Sequence, residues 1–149
     1  MEKNMKLHTV ALWLAALGGA FIAYIGLSYL IVPGSIVTGF GFPRWPGGDA
    51  DGFYAVKGTR DLVCGLVVFA LIAAREHRAL AIALGVVSLI PFGDAINVLS
   101  HHGSIATALG VHTATALFVL FTAALLYRTS ERDSDTARQL DQSSSVAAL

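Results

Sequence analysis

Four full charges, Lys57, Arg60, Asp61 and Asp94, lie within the apolar part of the chain and sum to zero. One charge at the centre of a membrane-spanning helix costs about 2.5–3.5 kcal/mol on insertion scales, so four on two helices point to an internal, mutually paired polar site. Lys57, Arg60, Asp61 and Cys64 follow an i, i+3, i+4, i+7 pattern that places them on one arc of a helix. Asp94, Asn97 and His101 repeat this on a second helix, just after Pro91, whose missing N–H and ring loosen the helix nearby. Two carboxylates, an arginine and a histidine around a confined apolar cavity supply a base, an acid and a stabiliser of developing negative charge. Asp94, with no cation adjacent in sequence, reads as the base, and Asp61, beside Arg60, as the firmly ionised orienter. Arg60 would hold an oxyanion, His112 would shuttle a proton and Tyr24 would donate a hydrogen bond. Such a set suits epoxide opening, isomerisation or cyclisation of a lipophilic small molecule, which is hydrolase or isomerase chemistry without a cofactor.

The elements that must position these groups are membrane helices. The chain has 149 residues, 55% hydrophobic and 13% charged, with mean hydropathy +0.67, too apolar for an ordinary soluble domain. Four runs, about 9–32, 53–74, 79–100 and 104–127, have the length needed to cross a bilayer. The first is longer than a signal-peptide apolar region and ends at Pro33-Gly34, so it reads as a permanent helix. Short connections after the second and third runs force antiparallel neighbours, which makes the expected fold all-α, a four-transmembrane-helix bundle over residues 1–128. Lys3, Lys6, Arg75, Arg78, Arg128, Arg132 and Arg138 fall on one side and only Arg44 on the other. Positive-inside bias then puts both termini in the cytoplasm and the long first loop outside, as in a multi-pass protein of the plasma (inner) membrane. Small residues at Ala15, Gly19 and Ala23, and at Ala106, Gly110 and Ala114, recur every four residues and favour close helix packing, with self-association as a homo-oligomer left open.

The loop at 33–52 is too long for a simple connector and carries three of the four prolines with Phe40, Phe42 and Trp45, so it reads as an ordered lid. Residues 129–149 are rich in Ser, Asp and Gln and read as a disordered cytoplasmic tail. At about 1.5 Å per residue from the outer helix ends, Asp61, Asp94, His112 and Tyr24 share one depth, and Lys57 lies a turn nearer the outer surface, at the rim. Lys57, Asn97, His101, Phe42, Trp45 and Tyr24 are therefore the expected substrate contacts around a catalytic set of Asp94, Asp61, Arg60 and His112.

Other chemistries fit less well. Asp61, Asp94, His101 and His112 offer N and O ligands, but no HExxH pattern is present and two cations stand beside them, so neither a metal nor a cofactor is expected. The single cysteine, Cys64, excludes an internal disulfide and a CxxC redox pair and reads as core. No serine nucleophile elbow, phosphate-binding glycine loop or basic cluster for nucleic acid appears. Two alternatives to an enzyme stay open. One is a non-catalytic module that binds a lipid or quinone or relays protons or ions; the other is an assembly subunit with structural charges.

Gly39-Phe40-Gly41-Phe42-Pro43, Lys57-Gly58-Thr59-Arg60-Asp61, Pro91 with Asp94, and His112 together resemble a domain-of-unknown-function family of small four-helix membrane proteins, similar to the broader DoxX-like group. The resemblance covers about residues 30–127 and implies a four-helix integral membrane fold. DoxX-like proteins include quinone-linked redox components, whereas this chain lacks the paired cysteines that thiol redox chemistry would use.

Overall fold

The computed structural model describes the side chains of residues 4–45, 47–49 and 51–130. Four long helices make up the molecule: α1 (Asn4–Ile31), α2 (Gly52–Ala73), α3 (His77–Ser100) and α4 (Ile105–Ser130). Of these, α1, α3 and α4 are long and apolar enough to cross a membrane, which marks a multi-pass integral membrane protein. Helix α2 is 22 residues long but carries Lys57, Arg60 and Asp61.

Local sequence explains where the helices stop and bend. Helix α1 ends before Pro33, which disfavours helical conformation in the residue ahead of it. Helix α3 is interrupted at Ser88, between His77–Val87 and Leu89–Ser100. Pro91 has no N–H for the carbonyl four residues back, that of Val87, and the helix breaks there. Ser104 caps α4 by accepting from the Thr107 N–H at 3.2 Å, and one turn further the helix widens into a π-helical stretch, Ala108–Thr113.

Backbone contact joins α1 to α2. A Cβ built on Gly26 would strike the Leu62 backbone nitrogen and lie 2.7 Å from the Gly58 carbonyl oxygen; one on Gly65 would lie 2.6 Å from the Gly19 carbonyl oxygen. Glycines seven apart on each helix thus let the two axes approach closely. The expected small-residue stripe on α1 is used in this way at Gly19 and Ala23. The one on α4 is not: Ala106, Gly110 and Ala114 are exposed, and nothing lies within 4 Å of a Cβ on Gly110.

Two separate apolar cores hold the bundle. Toward the end that carries both chain termini, Ala11, Ala15, Val68, Leu80, Leu84 and Leu126 pack together. Toward the other end, Ala95, Val98 and Ala108 pack with Phe40 and Phe42 of the first loop. That loop contains short helical turns, Pro33–Ile36, Val37–Phe40 and Gly48–Asp51. Helix α4 continues past the expected end at 127, and Thr129 is buried, its hydroxyl donating to the Leu125 carbonyl at 3.0 Å. From residue 131 onward the expected tail lies outside the described residues.

Candidate functional site

Asp61 is the fixed point of the charged cluster. Its side chain is 2% exposed and both carboxylate oxygens are engaged. Lys57, one turn earlier on α2, donates to Oδ2 at 2.8 Å, while Arg60 reaches Oδ1 through Nε at 3.0 Å and a terminal nitrogen at 2.9 Å. These are charge-assisted bonds in a low-dielectric setting, where an ionised carboxylate needs such partners. Asp94 comes from α3 and is held more loosely, 3.7 Å from Lys57 Nζ and 4.0 Å from Arg60, both beyond hydrogen-bond distance. Its side chain is 19% exposed. The four charges named from the sequence thus form one neutral group.

Lys57 is at the centre of this group, not at the rim. Besides joining the two carboxylates, its ammonium lies 5.2 Å from the Tyr29 ring centroid and 5.0 Å from that of Phe40. The lysine stem is long enough to carry the charge a turn deeper than its Cα, which a count of backbone height misses.

The cluster stands between two spaces. On one side is an apolar cavity of about 460 Å³, walled by α1, α3 and α4, with Lys57, Asp61 and Cys64 at its polar end. On the other is a vestibule of about 250 Å³ lined by Arg60, Asp94 and Asn97 together with Phe42, Trp45 and Tyr54. Lys57 lines both, so its side chain is the wall they share, with Asp61 on the cavity side and Arg60 and Asp94 on the vestibule side.

Aromatic rings cover the vestibule. Phe40 and Phe42 stack at 5.1 Å, Trp45 meets Phe42 edge-on at 5.4 Å, and Trp45 continues to Tyr54 at 6.4 Å. Two bonds tie this loop to α4: Nε2 of His112 donates to the Phe40 carbonyl at 2.8 Å, and the Ser104 N–H donates to the Gly41 carbonyl at 2.9 Å. Gly41 sits at φ +104°, a conformation that favours glycine, and a Cβ on neighbouring Gly103 would lie 2.5 Å from its carbonyl oxygen.

Most of the expected site residues therefore meet. Arg60, Asp61, Asp94 and Lys57 are joined directly, Asn97 lines the vestibule, and Phe42 and Trp45 lie over it. His112 is buried nearby, but its bond goes to the loop and its ring packs on Phe40 at 4.6 Å, so it is separated from the charges by that ring. His101 flanks the site: its Nδ1 donates to the Asn97 carbonyl at 2.9 Å and its ring meets Phe42 at 5.6 Å. Tyr24 is outside it altogether. It is 65% exposed on the far face of α1, and Tyr29, 3% exposed, takes the place expected of it.

Tyr29, Phe53 and Tyr54 line the vestibule outside the expected contacts, as does Phe40, expected only as part of the lid. For Tyr29 the signal was present: it follows Gly26 by three residues and shares that glycine's face, whereas Tyr24 does not. A second polar cluster, also not anticipated, ties the opposite end of the bundle. His8 on α1 bonds to Thr129 Oγ1 on α4 at 3.0 Å and to His77 Nδ1 on α3 at 3.0 Å. The threonine hydroxyl proton goes to a carbonyl, so His8 Nδ1–H donates to Oγ1, and in neutral His8 Nε2 then accepts from His77.

No curated protein and no solved structure matches the chain. One family model does match, over residues 19–126, a span that holds every member of the charged cluster and the loop above it. The chain belongs to that family, described as a domain of unknown function, DUF4267.

Proposed function

We propose that this protein is a small integral-membrane enzyme that performs cofactor-independent acid–base chemistry on a lipophilic molecule, with Asp94 as the base. One observation carries this reading: of two carboxylates in one neutral cluster, Asp61 accepts from Lys57 on one oxygen and from Arg60 Nε on the other, with an Arg60 terminal nitrogen at 2.9 Å, while Asp94 faces the vestibule with no cation inside hydrogen-bond distance. Two carboxylates in contrasting surroundings divide the work, one held as a fixed anion and the other available to take a proton. Asp94 would remove a proton from carbon beside a carbonyl, or from a water that opens an epoxide. The N–H groups of Lys57 and Arg60 would stabilise the oxygen on which negative charge develops.

The four-span topology belongs to this proposal. Helix α2 has the length of a spanning helix, and its three charges face a neutral cluster shared with α3, which removes the usual objection to burying them in a bilayer. With four spans and Lys and Arg concentrated at the end that carries the termini, both termini are cytoplasmic and the vestibule opens on the outer side.

The test uses the full chain in lipid nanodiscs, a panel of long-chain epoxides and unsaturated ketones, and mass spectrometry of the products. Asp94→Asn should lower turnover by about 10²–10⁴-fold while the protein stays folded. Turnover equal to that of the unaltered chain would remove Asp94 from the role of base.

A further inference from the structure

The cavity on the inner side of the charged wall carries information about what the site accepts. The residues that line it and are also exposed mark its mouth: Leu17 and Phe21 on α1, Phe21 being 49% exposed, and Ala114 on α4. Beside it, a Cβ on Gly18 would touch the Phe118 ring at 3.5 Å, so α1 and α4 pack through that ring next to the mouth. The opening therefore lies in the α1–α4 seam and faces the surroundings that, for these exposed apolar side chains, are the hydrocarbon of a bilayer.

Shape limits the occupant. Along α2 the lining runs from Lys57 to Val68, about 16 Å at the helical rise. Over that length the cavity, about 460 Å³ in volume, is walled almost wholly by apolar side chains, which suits a hydrocarbon chain. Beyond Val68, the tightly packed inner core closes the space.

Charge limits the head. At the polar end of the cavity both Asp61 oxygens are already occupied, so no strong acceptor is free there. Lys57 carries three N–H donors and spends one at hydrogen-bond distance, on Asp61. A head group that reaches this wall is therefore asked to accept a hydrogen bond. Because the cluster is already neutral, an anionic or cationic head would bring an uncompensated charge into an apolar space.

We infer that the molecule taken up is a neutral lipid with one oxygen acceptor at its head, a carbonyl or an epoxide, entering sideways from the bilayer through the α1–α4 seam with a hydrocarbon chain in the apolar cavity and its oxygen at Lys57. This rests on the proposed function only in naming that molecule as the one that reacts.

The test uses the full chain in phosphatidylcholine nanodiscs and a long-chain methyl ketone with a photoreactive diazirine at the chain end. Mass spectrometry should place the adducts on the cavity-facing stretches of α1 and α4, around residues 14–22 and 114–122. An unlabelled ketone or epoxide of the same chain length should compete about tenfold better than the matching carboxylate or trimethylammonium compound. Thr115→Phe, which puts a ring into the cavity next to Ala114 of the mouth, should lower labelling about tenfold, and Leu117→Phe, exposed and off the lining, should leave it unchanged. Equal competition by the carboxylate overturns the neutral head, and adducts elsewhere overturn the cavity; both are read on the unaltered chain, so neither depends on how a variant folds. Labelling in the cavity together with full turnover by Asp94→Asn would refute the base and leave this inference standing. Loss of turnover in Asp94→Asn with adducts outside the cavity would do the reverse.

Discussion

Replacing each carboxylate by its amide should separate the anchor of the site from its reactive member. Asp61→Asn turns an oxygen that accepts from a cation into an NH₂ that faces one. Either the 2.8 Å contact to Lys57 or the 2.9 and 3.0 Å contacts to Arg60 are inverted, the others fall to a neutral acceptor, and Lys57 and Arg60 keep their charges. At a side chain 2% exposed, breaking such a pair from one side costs about 3–5 kcal/mol. Asp94→Asn removes a charge at 3.7 and 4.0 Å, with no hydrogen bond to break and a vestibule beside it, and should cost about 1–2 kcal/mol. In a chain of this length a kcal/mol moves the melting temperature by about 3–4 °C, so Asp61→Asn should lower it by about 10 °C or more and Asp94→Asn by about half that or less. Thermal unfolding in one detergent, followed by tryptophan fluorescence, reads both. The paired variant Lys57→Met with Asp61→Leu removes one charge of each sign and leaves Arg60 to Asp94, so it should recover most of the loss. A melting temperature for Asp94→Asn as low as for Asp61→Asn, or no gain in the paired variant, would refute the division of labour between the two carboxylates.

Two further perturbations test how the site is held. Gly26→Ala puts a methyl group against the α2 backbone and should cost about 1–3 kcal/mol, whereas Gly85→Ala, with nothing within 4 Å of its Cβ, should gain about 0.5–1 kcal/mol; thermal unfolding of the two variants should move in opposite directions. His112→Ala leaves the Phe40 carbonyl without its donor and should speed hydrogen exchange of the amides around residues 37–45 by about tenfold, while those of the inner core keep their rates; unchanged exchange in the loop would mean that His112 does not hold it.

Charge and spacing made the heart of the site legible, since four neutralising charges on two helical arcs have few arrangements inside a bilayer. Counting residues gives the height of a Cα only, and the Lys57 ammonium, joined to both carboxylates, departs from it. What counting cannot supply is azimuth. Tyr24 has a suitable height but lies two residues, about 200°, from the Gly26 face, while Tyr29 lies about 60° from it and is buried. His112 fails for a related reason. It sits in a π-helical turn, which takes an extra residue and rotates every later position of the helix, and nothing in the local sequence announces that turn. The loop's aromatics named the rings that meet over the vestibule, but its fastening depended on Gly41 and Gly103 meeting across the chain, a pairing visible only once the fold is known.

The position of the cavity between two cores gives a reason for both helix irregularities. Regular helices packed at both ends would also tend to close in the middle, yet the walls here stay apart where α3 breaks at Ser88 and where α4 leaves its π-helical stretch at Ala114. Left empty, an apolar void of about 460 Å³ would cost on the order of 10 kcal/mol, comparable with the whole stability of a small domain. A fold that kept such a void sealed would gain by collapsing it. The α1–α4 mouth resolves the difficulty, because hydrocarbon from the bilayer can fill the space and restore the missing contacts. On the inferred route of uptake the resting protein would be lipid-filled, and the neutral lipid would enter by exchange with a chain already there. In that exchange the two tails are nearly equivalent, so selection falls to the head group and its fit to the neutral wall of Lys57, Arg60, Asp61 and Asp94.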